Sequence, residues 1–112
     1  MHTITYDDFS KIDLRSGTIV KALIFEKAKK PAYQIWVDFG PELGVLQTSA
    51  QVTNHYLPSN LIDMQVIGCV NLGEKNIAGF ISQFLLVGFS DEHNFIRLAT
   101  VSGNVPNGQK LH

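Results

Sequence analysis

The densest run of charge in the sequence is a short basic segment formed by Lys27, Lys29 and Lys30, with Pro31 directly after it. Proline cannot donate to a strand ladder, so this segment is predicted to be a loop. Ammonium groups spaced along a loop can bind the phosphates of a nucleic-acid backbone, and Lys21 or Lys75 would extend such a patch. The alternative is that the loop lysines are simply solvated.

Two aromatic side chains close to this loop are candidates for stacking on unpaired bases. The segment alternates strictly, so it is predicted to be a strand with one face made of Tyr33, Ile35, Val37 and Phe39 and the other of Gln34, Trp36 and Asp38. Tyr33 shares its face with apolar residues and is predicted to lie in the core. Trp36 lies beside polar residues and is predicted to be at the surface, where it contacts a partner protein.

The sequence has no pattern typical of a metal centre or an enzyme. His2, His55, His93 and His112 have no metal-ligand spacing with one another or with Cys69. Nucleophile elbows, phosphate-binding glycine loops and dinucleotide fingerprints are absent from the sequence. Cys69 lies in an apolar run and is predicted to be a buried, unreactive thiol. We therefore expect a protein that binds a partner, with no catalytic residue, metal ligand or cofactor.

Length and charge narrow the kinds of partner. A chain of 112 residues is predicted to be one domain, residues 1–112. Nine basic and ten acidic residues give a net charge of -1, so any RNA site must be a local patch. The N-terminal residues lack the apolar core of a signal peptide, and no apolar stretch is long enough to span a bilayer. We expect a cytoplasmic location and no membrane insertion.

Five segments have the composition of β-strands. They are predicted at Leu14 to Phe25, Tyr33 to Phe39, Val45 to Ser49, Met64 to Val70 and Phe80 to Phe89. Gly17 indicates a bulge that bends the first strand, and residues 40–44 are predicted to be a hairpin connection. A single helical turn is predicted from Thr53 to Tyr56, ended by Pro58.

Both ends of the chain are predicted to be ordered. Thr5 and Asp8 have the spacing of a capping box and predict a short N-terminal helix. Residues 95–101 are rich in β-forming types, and Pro106-Asn107-Gly108 predicts a turn. The fold class predicted is therefore all-β, a five-stranded oligonucleotide-binding (OB-fold) barrel with a short N-terminal helix and a structured C-terminal extension.

Several phrases of the sequence resemble the free-standing tRNA-binding domain family, in particular the CsaA-type secretion chaperones and the C-terminal domains of methionyl-tRNA synthetases. The matching phrases, in chain order, are Asp13-Leu14-Arg15-Ser16-Gly17, Val37-Asp38-Phe39-Gly40, Thr48-Ser49-Ala50-Gln51-Val52-Thr53 and Ile77-Ala78-Gly79-Phe80-Ile81-Ser82-Gln83. The resemblance covers nearly the whole chain. It implies an OB-fold homodimer, with tRNA binding in the wider family and export-related peptide binding in the CsaA-type branch.

The resemblance also implies where the ligands bind. Together with the loop lysines, it gives a candidate RNA-binding set of Lys27, Lys29, Lys30, Ser49, Gln51, Asn71, Lys75, Asn76, Ser82 and Gln83. The candidate anchors for peptide or for a partner subunit are Trp36, Phe84, Phe89 and Phe95.

One segment departs from the family pattern. Family members carry a proline and adjacent basic residues just before the Ile-Ala-Gly phrase, where this chain has Gly73-Glu74-Lys75-Asn76. Removing a basic residue that binds phosphate weakens binding uniformly and flattens its dependence on salt. This departure therefore predicts weaker tRNA affinity, whereas it leaves peptide binding unaffected.

Three interpretations of the function follow. The first is a non-catalytic, homodimeric tRNA-binding module. The second is an export-related chaperone that holds unfolded or presecretory polypeptides by strand addition and apolar pockets. The third is a subunit that docks onto a larger enzyme and has no ligand of its own.

Overall fold

Nine strands and three short helices make up the protein in a computed structural model that describes residues 1–112. The strands are β1 (Leu14–Ile24), β2 (Tyr33–Asp38), β3 (Val45–Ala50), β4 (Gln65–Cys69), β5 (Lys75–Ile77), β6 (Phe80–Ser82), β7 (Leu85–Leu86), β8 (Gly88–Ser90) and β9 (Ile96–Leu98). The helices are α1 (Tyr6–Ser10), α2 (Gly40–Leu43) and α3 (Pro58–Leu61). None of these helices is long and apolar enough to cross a membrane.

The main sheet has five antiparallel strands in the order β3-β2-β1-β4-β7. It curls until β3 meets the segment between β6 and β7, where the Gln83 amide donates to the Gln47 carbonyl at 2.8 Å. The Thr48 hydroxyl donates to the Phe84 carbonyl at 2.7 Å along the same line. These contacts nearly close the sheet, and they confirm the predicted all-β, OB-like barrel.

The alternation of β2 places its apolar face inside the barrel, as predicted. Tyr33, Ile35 and Val37 are buried, and the Tyr33 hydroxyl donates to the Tyr56 carbonyl at 2.7 Å. Because that hydroxyl has a partner, the ring can fill the core without leaving an unsatisfied polar group. Phe39 is fully buried, and its ring packs edge-on against Phe84 at 4.9 Å between centroids.

Two local predictions for the first half of the chain need correction. The predicted bulge in the long strand β1 is present, but it lies at Val20, between the paired residues Ile19 and Lys21, and not at Gly17. Glycine is needed at position 17 for a different reason, the close packing of the barrel: a Cβ atom there would lie 2.5 Å from Val37 Cγ1. The helical turn predicted from Thr53 to Tyr56 is only a non-helical turn, and Pro58 begins α3 because proline is well suited to the first turn of a helix.

The strand predicted from Phe80 to Phe89 is also wrong, because the chain breaks there into β6, β7 and β8. β6 pairs with β5 as a small hairpin, β7 pairs with β4 in the barrel, and β8 pairs with β9 as a second hairpin. The direction changes after Ser82, where the backbone of Gln83 turns to bond with Gln47 of β3. Residues 80–89, predicted to form one strand, therefore contribute to three different sheets.

The helix α1 forms as predicted. The Asp8 amide donates to Thr5 Oγ1 at 3.1 Å, and the Thr5 amide donates to Asp8 Oδ2 at 3.2 Å, which completes a capping box. The hydrogen bond from the Thr5 backbone amide to the carboxylate, assisted by the Thr5 side chain, lowers the pKa of Asp8. No residue of α1 is buried.

The C-terminal extension is ordered, and residues 105–111, here called the C-terminal strap, run along the edge of β1 that β2 leaves uncovered. The Ser16 amide donates to the Gln109 carbonyl at 3.0 Å, and the Leu111 amide donates to the Leu14 carbonyl at 2.7 Å. The Ser16 hydroxyl donates to the Pro106 carbonyl and accepts from the Gln109 amide. The strap therefore acts as an added strand that covers this edge.

Substitution of Gly68 by alanine tests how tightly the core is packed. A Cβ atom there would lie 2.6 Å from Phe39 Cζ and 2.8 Å from Phe84 Cδ2, and both rings are buried. Overpacking of this kind costs about 1–3 kcal/mol, so we expect Gly68→Ala to lower the free energy of unfolding in urea by that amount. Gly103→Ala is the control, since a Cβ there meets nothing within 4 Å. Equal stability of the two variants would contradict the packing described.

Candidate nucleic-acid interface

A groove of about 1160 Å³ runs along the outside of the barrel. The loop between β1 and β2 and the segment 72–78, which includes β5, are here called its two walls, and the end of β3 with Ser82 and residues 84–88 its floor. The predicted RNA-binding residues that line it are Lys27, Lys29, Lys30, Ser49, Gln51, Lys75 and Ser82. Residues far apart in the sequence therefore meet at one surface.

The loop between β1 and β2, here called the lysine loop, is closed at its base by a backbone hydrogen bond. The Phe25 amide donates to the Ala32 carbonyl at 3.0 Å, and both of these residues are buried. The lysines above this base, Lys29 and Lys30, are exposed, and Lys27 lies on the groove wall beside them. None of the three has an acidic partner within ion-pair distance, and the same is true of Lys75. Their charges are therefore available to an anionic ligand.

The two hydroxyls on the groove floor hold the barrel together. The Ser49 amide donates to Ser82 Oγ at 2.9 Å, and the two hydroxyl oxygens lie 3.3 Å apart. Ser82 is buried and Ser49 is half-buried. The pair therefore bridges β3 to β6, and the Ser49 hydroxyl is the more accessible of the two.

The second wall of the groove, the segment 72–78, continues into the β5–β6 hairpin. Lys75 is paired with Ser82 across the two strands, and Glu74 precedes Lys75 on the groove wall. The hairpin rests on the barrel through Phe80, whose ring lies 5.5 Å from Phe25 and 5.7 Å from Trp36, both in edge-on contact. The departure from the family pattern thus places one acid inside the groove.

Three of the predicted RNA-binding residues do not line the groove, and their amides make structural hydrogen bonds. Asn71 accepts from the Asp13 amide at 3.0 Å and donates to the Lys11 carbonyl at 2.7 Å, tying the end of β4 to the N-terminal segment. Asn76 accepts from Gly79 within the hairpin turn. Gln83 accepts from the Gln47 amide at 3.0 Å along the barrel closure.

The predicted peptide anchors differ in exposure. Phe84 is only 4% exposed, so its prediction as a surface anchor is wrong; its ring packs in the core against Phe39. Trp36 is half-buried beneath Lys21, whose Nζ lies 4.7 Å from the ring centroid. Phe89 is 74% exposed and Phe95 37% exposed, and neither lines the groove. Of the four predicted anchors, only Phe89 is freely accessible.

No pattern in the sequence predicted the apolar part of the groove. Leu72 and Leu85 lie on its surface with 65% and 53% of their area exposed, and Ile77 and Ile96 add further apolar surface. Leu72 lies between Asn71 and Gly73 in a segment with the composition of a polar turn, so its local sequence did not indicate a binding surface. The groove is therefore both basic and apolar.

The β8–β9 hairpin, which contributes Gly88 and Ile96 to the groove, is held by a hydrogen bond between His55 and Asp91. His55 Nε2 lies 2.6 Å from Asp91 Oδ2, and the His55 ring packs edge-on against Phe95. The hydrogen bond from His55 lowers the pKa of Asp91, helped by the amides of Phe95 and His93. The Asp91 carboxylate thus orders both the hairpin turn and its attachment.

Residues 14–110 of the chain match the protein family described as "Putative tRNA binding domain". The chain belongs to this family. The match includes every strand of the barrel and both walls of the groove, so the tRNA-binding domain here comprises the barrel together with most of the C-terminal strap.

Solved structures similar to this chain match it over nearly its whole length. The CsaA chaperone protein of Picrophilus torridus is 42% identical, with a TM-score of 0.90 over 98% of this chain and 100% of that one. The chaperone CsaA of Bacillus anthracis is 39% identical, with a TM-score of 0.92 over 99% and 100% of the two chains.

The domain also resembles part of a much longer enzyme. It is 38% identical to the methionine–tRNA ligase of Halalkalibacterium halodurans over 94% of this chain, but spans only 15% of the ligase. The same enzyme from Thermotoga maritima is 31% identical over 98% of this chain and 17% of the ligase.

Proposed function

We propose that the protein is a non-catalytic tRNA-binding module of the cytoplasm that holds the RNA backbone in the groove. The observation that carries this proposal is that four lysines, Lys27, Lys29, Lys30 and Lys75, line the same groove and have no acidic partner within ion-pair distance. Glu74 is the only acid that lines it.

The groove is positively charged, although the molecule as a whole carries a net negative charge. The chain as a whole carries -1, so the positive side chains of the groove are balanced by acids elsewhere on the surface. Interactions between exposed charges farther apart than about 10 Å are largely screened at ordinary ionic strength. The electrostatic energy of a phosphate bound in the groove therefore depends mainly on the nearby lysines. A local patch of this kind binds phosphates even on a mildly acidic protein.

The family match and the tRNA ligases support tRNA as the nucleic acid. Polar groups on the groove floor complement the lysines, since the Ser49 hydroxyl and the Gln51 amide are accessible for a ribose or a base edge. The lysines would supply most of the affinity, and the floor would supply contacts that distinguish RNA from other polyanions.

Fluorescence-anisotropy titration of labelled total tRNA at several salt concentrations tests this proposal. We expect saturable binding, and we expect Lys29→Gln with Lys75→Gln to weaken it. The slope of log affinity against log salt should become shallower by roughly 0.7–0.9 for each phosphate that is no longer neutralised. Glu74→Lys should change both quantities in the opposite direction, because it restores a basic residue to the groove wall.

The matched control is Asn54→Asp with Ser59→Asp, which changes the net charge by the same amount at exposed positions that do not line the groove. It should leave the slope close to that of the unmodified protein. An equal loss of affinity in both double variants would mean that net charge, and not the groove, governs binding. Absence of tRNA binding at low salt would reject the function.

We also propose that the module is a homodimer joined through the face that carries its two chain ends. Ile4 and Tyr6 are 61% and 73% exposed at the start of α1, and Leu111 of the strap is 41% exposed. Lys110 Nζ donates to the Ser10 carbonyl at 2.9 Å, which holds the strap against α1 and makes the face continuous. Exposed apolar groups rimmed by polar ones are typical of interfaces.

Light scattering after gel filtration measures the state of assembly. We expect twice the chain mass of 12.4 kDa for the unmodified protein and the monomer mass for Ile4→Ser with Tyr6→Ser. Leu57→Ser is a control at another exposed apolar residue, 63% exposed, and should remain dimeric. A monomer at micromolar concentration would reject the dimer without affecting the groove.

The apolar part of the groove favours a second candidate function, the binding of unfolded or presecretory polypeptide, which is consistent with the CsaA chaperones among the similar structures. Leu72 and Leu85 provide exposed apolar surface, and β5 is an edge strand of its two-stranded sheet on the groove wall. Extended polypeptide binds such places through strand addition and apolar side-chain contacts.

Suppression of aggregation of a reduced, unfolded client, followed by light scattering, tests this second function. We expect Leu72→Ser to lose suppression and Leu57→Ser to retain it, because the two leucines are almost equally exposed and only Leu72 lines the groove. If the unmodified protein leaves client aggregation unchanged, the chaperone function is rejected.

A further inference from the structure

The turn of the C-terminal strap contains the one Asn-Gly dipeptide of the sequence, Asn107-Gly108. Such pairs deamidate spontaneously in flexible chains, because glycine puts no side chain in the way of its own backbone nitrogen. That nitrogen loses its proton and attacks the side-chain carbonyl carbon of the asparagine. A new nitrogen–carbon bond closes a five-membered succinimide, and the side-chain nitrogen leaves as ammonia.

In the folded protein, hydrogen bonds to both reacting groups prevent this reaction. The Gly108 amide donates to the Ser16 carbonyl at 2.8 Å, so the nucleophile is occupied. Asn107 Oδ1 accepts a hydrogen bond from the Thr18 hydroxyl at 2.7 Å, which fixes the side chain against β1. The same oxygen accepts a second hydrogen bond from the side-chain amide of Gln65 at 3.4 Å. The Thr18 hydrogen bond polarises the side-chain carbonyl of Asn107, which would by itself favour attack on its carbon. The attack does not occur while the Gly108 nitrogen is hydrogen-bonded to the Ser16 carbonyl.

We propose that Asn107 is a deamidation site that is closed while the strap lies on β1 and reacts when the strap detaches. The reaction needs only water, which opens the succinimide at one of its two carbonyls. Opening at one carbonyl gives aspartate, and opening at the other gives isoaspartate, which carries an additional carbon in the backbone. Both products add a negative charge to the strap.

The two products differ in their ability to return to β1. Aspartate keeps an acceptor oxygen for the hydroxyl of Thr18 and leaves the backbone unchanged. The backbone around this turn has no spare room: a Cβ at Gly108 would lie 2.5 Å from the Phe39 carbonyl oxygen, and a Cβ at Gly40 would lie 2.6 Å from the Asn107 carbonyl oxygen. The longer isoaspartate backbone does not fit there, so its formation releases the strap permanently from the edge of β1.

The test measures the rate of deamidation by mass spectrometry of the tryptic peptide that contains Asn107, at mildly alkaline pH. In the unmodified chain, the folded protein should react roughly tenfold or more slowly than the same chain unfolded in urea, because reaction then requires local opening. Ser16→Ala removes two of the strap's hydrogen bonds and should accelerate the folded protein alone.

Ser59→Ala is the matched control, at an exposed serine of α3, and should leave both rates unchanged. Equal rates in the folded and unfolded chain would overturn the proposal, and that comparison needs no variant. Identical folded-state rates for Ser16→Ala and Ser59→Ala would overturn it as well.

Discussion

The architecture depends on the contact that closes the barrel between β3 and the segment 82–84. No regular strand pairing is made there. The closure has a single backbone–backbone bond, from the Gln83 amide to the Gln47 carbonyl, and its other hydrogen bonds involve side chains, among them the Thr48 hydroxyl donating to the Phe84 carbonyl and the Ser49 amide donating to the Ser82 hydroxyl. Because side-chain hydrogen bonds replace part of the strand ladder, the chain can leave the barrel both before and after the closure. The β5–β6 hairpin departs before the closure and the β8–β9 hairpin after it, and the groove is the space between these hairpins and the lysine loop.

This closure also explains why basic and apolar groups share one surface. The strand ladder is incomplete at the closure, and Ser49 stays half-buried there on the groove floor. Leu72, which precedes the β5–β6 hairpin, and Leu85 of β7, the edge strand of the main sheet, stay exposed and line the same groove as Lys75. A surface with these properties suits an anionic ligand that also presents flat or apolar groups.

Much of the fold could be predicted from the sequence, because it depends on local patterns. The alternation from Tyr33 to Asp38 predicted β2 and its buried face, and the spacing of Thr5 and Asp8 predicted the cap of α1. Phe84 could not be placed correctly, because the break after Ser82 depends on Gln47, which lies far away in the chain. The groove was predicted only in part for the same reason. Its lysines form a visible run, whereas Leu72 and the structural use of Asn71 depend on distant contacts.

The position of Trp36 gives the molecule an internal optical probe. It is the sole tryptophan of the chain, and its indole lies against Phe80, the first residue of β6, with the ammonium group of Lys21 above it. Indole emission depends on the polarity and the charges around the ring, and here those surroundings are set by the seating of the β5–β6 hairpin on the barrel. Any ligand that draws this hairpin inward or pushes it away therefore changes the intrinsic fluorescence of the protein, without an attached dye.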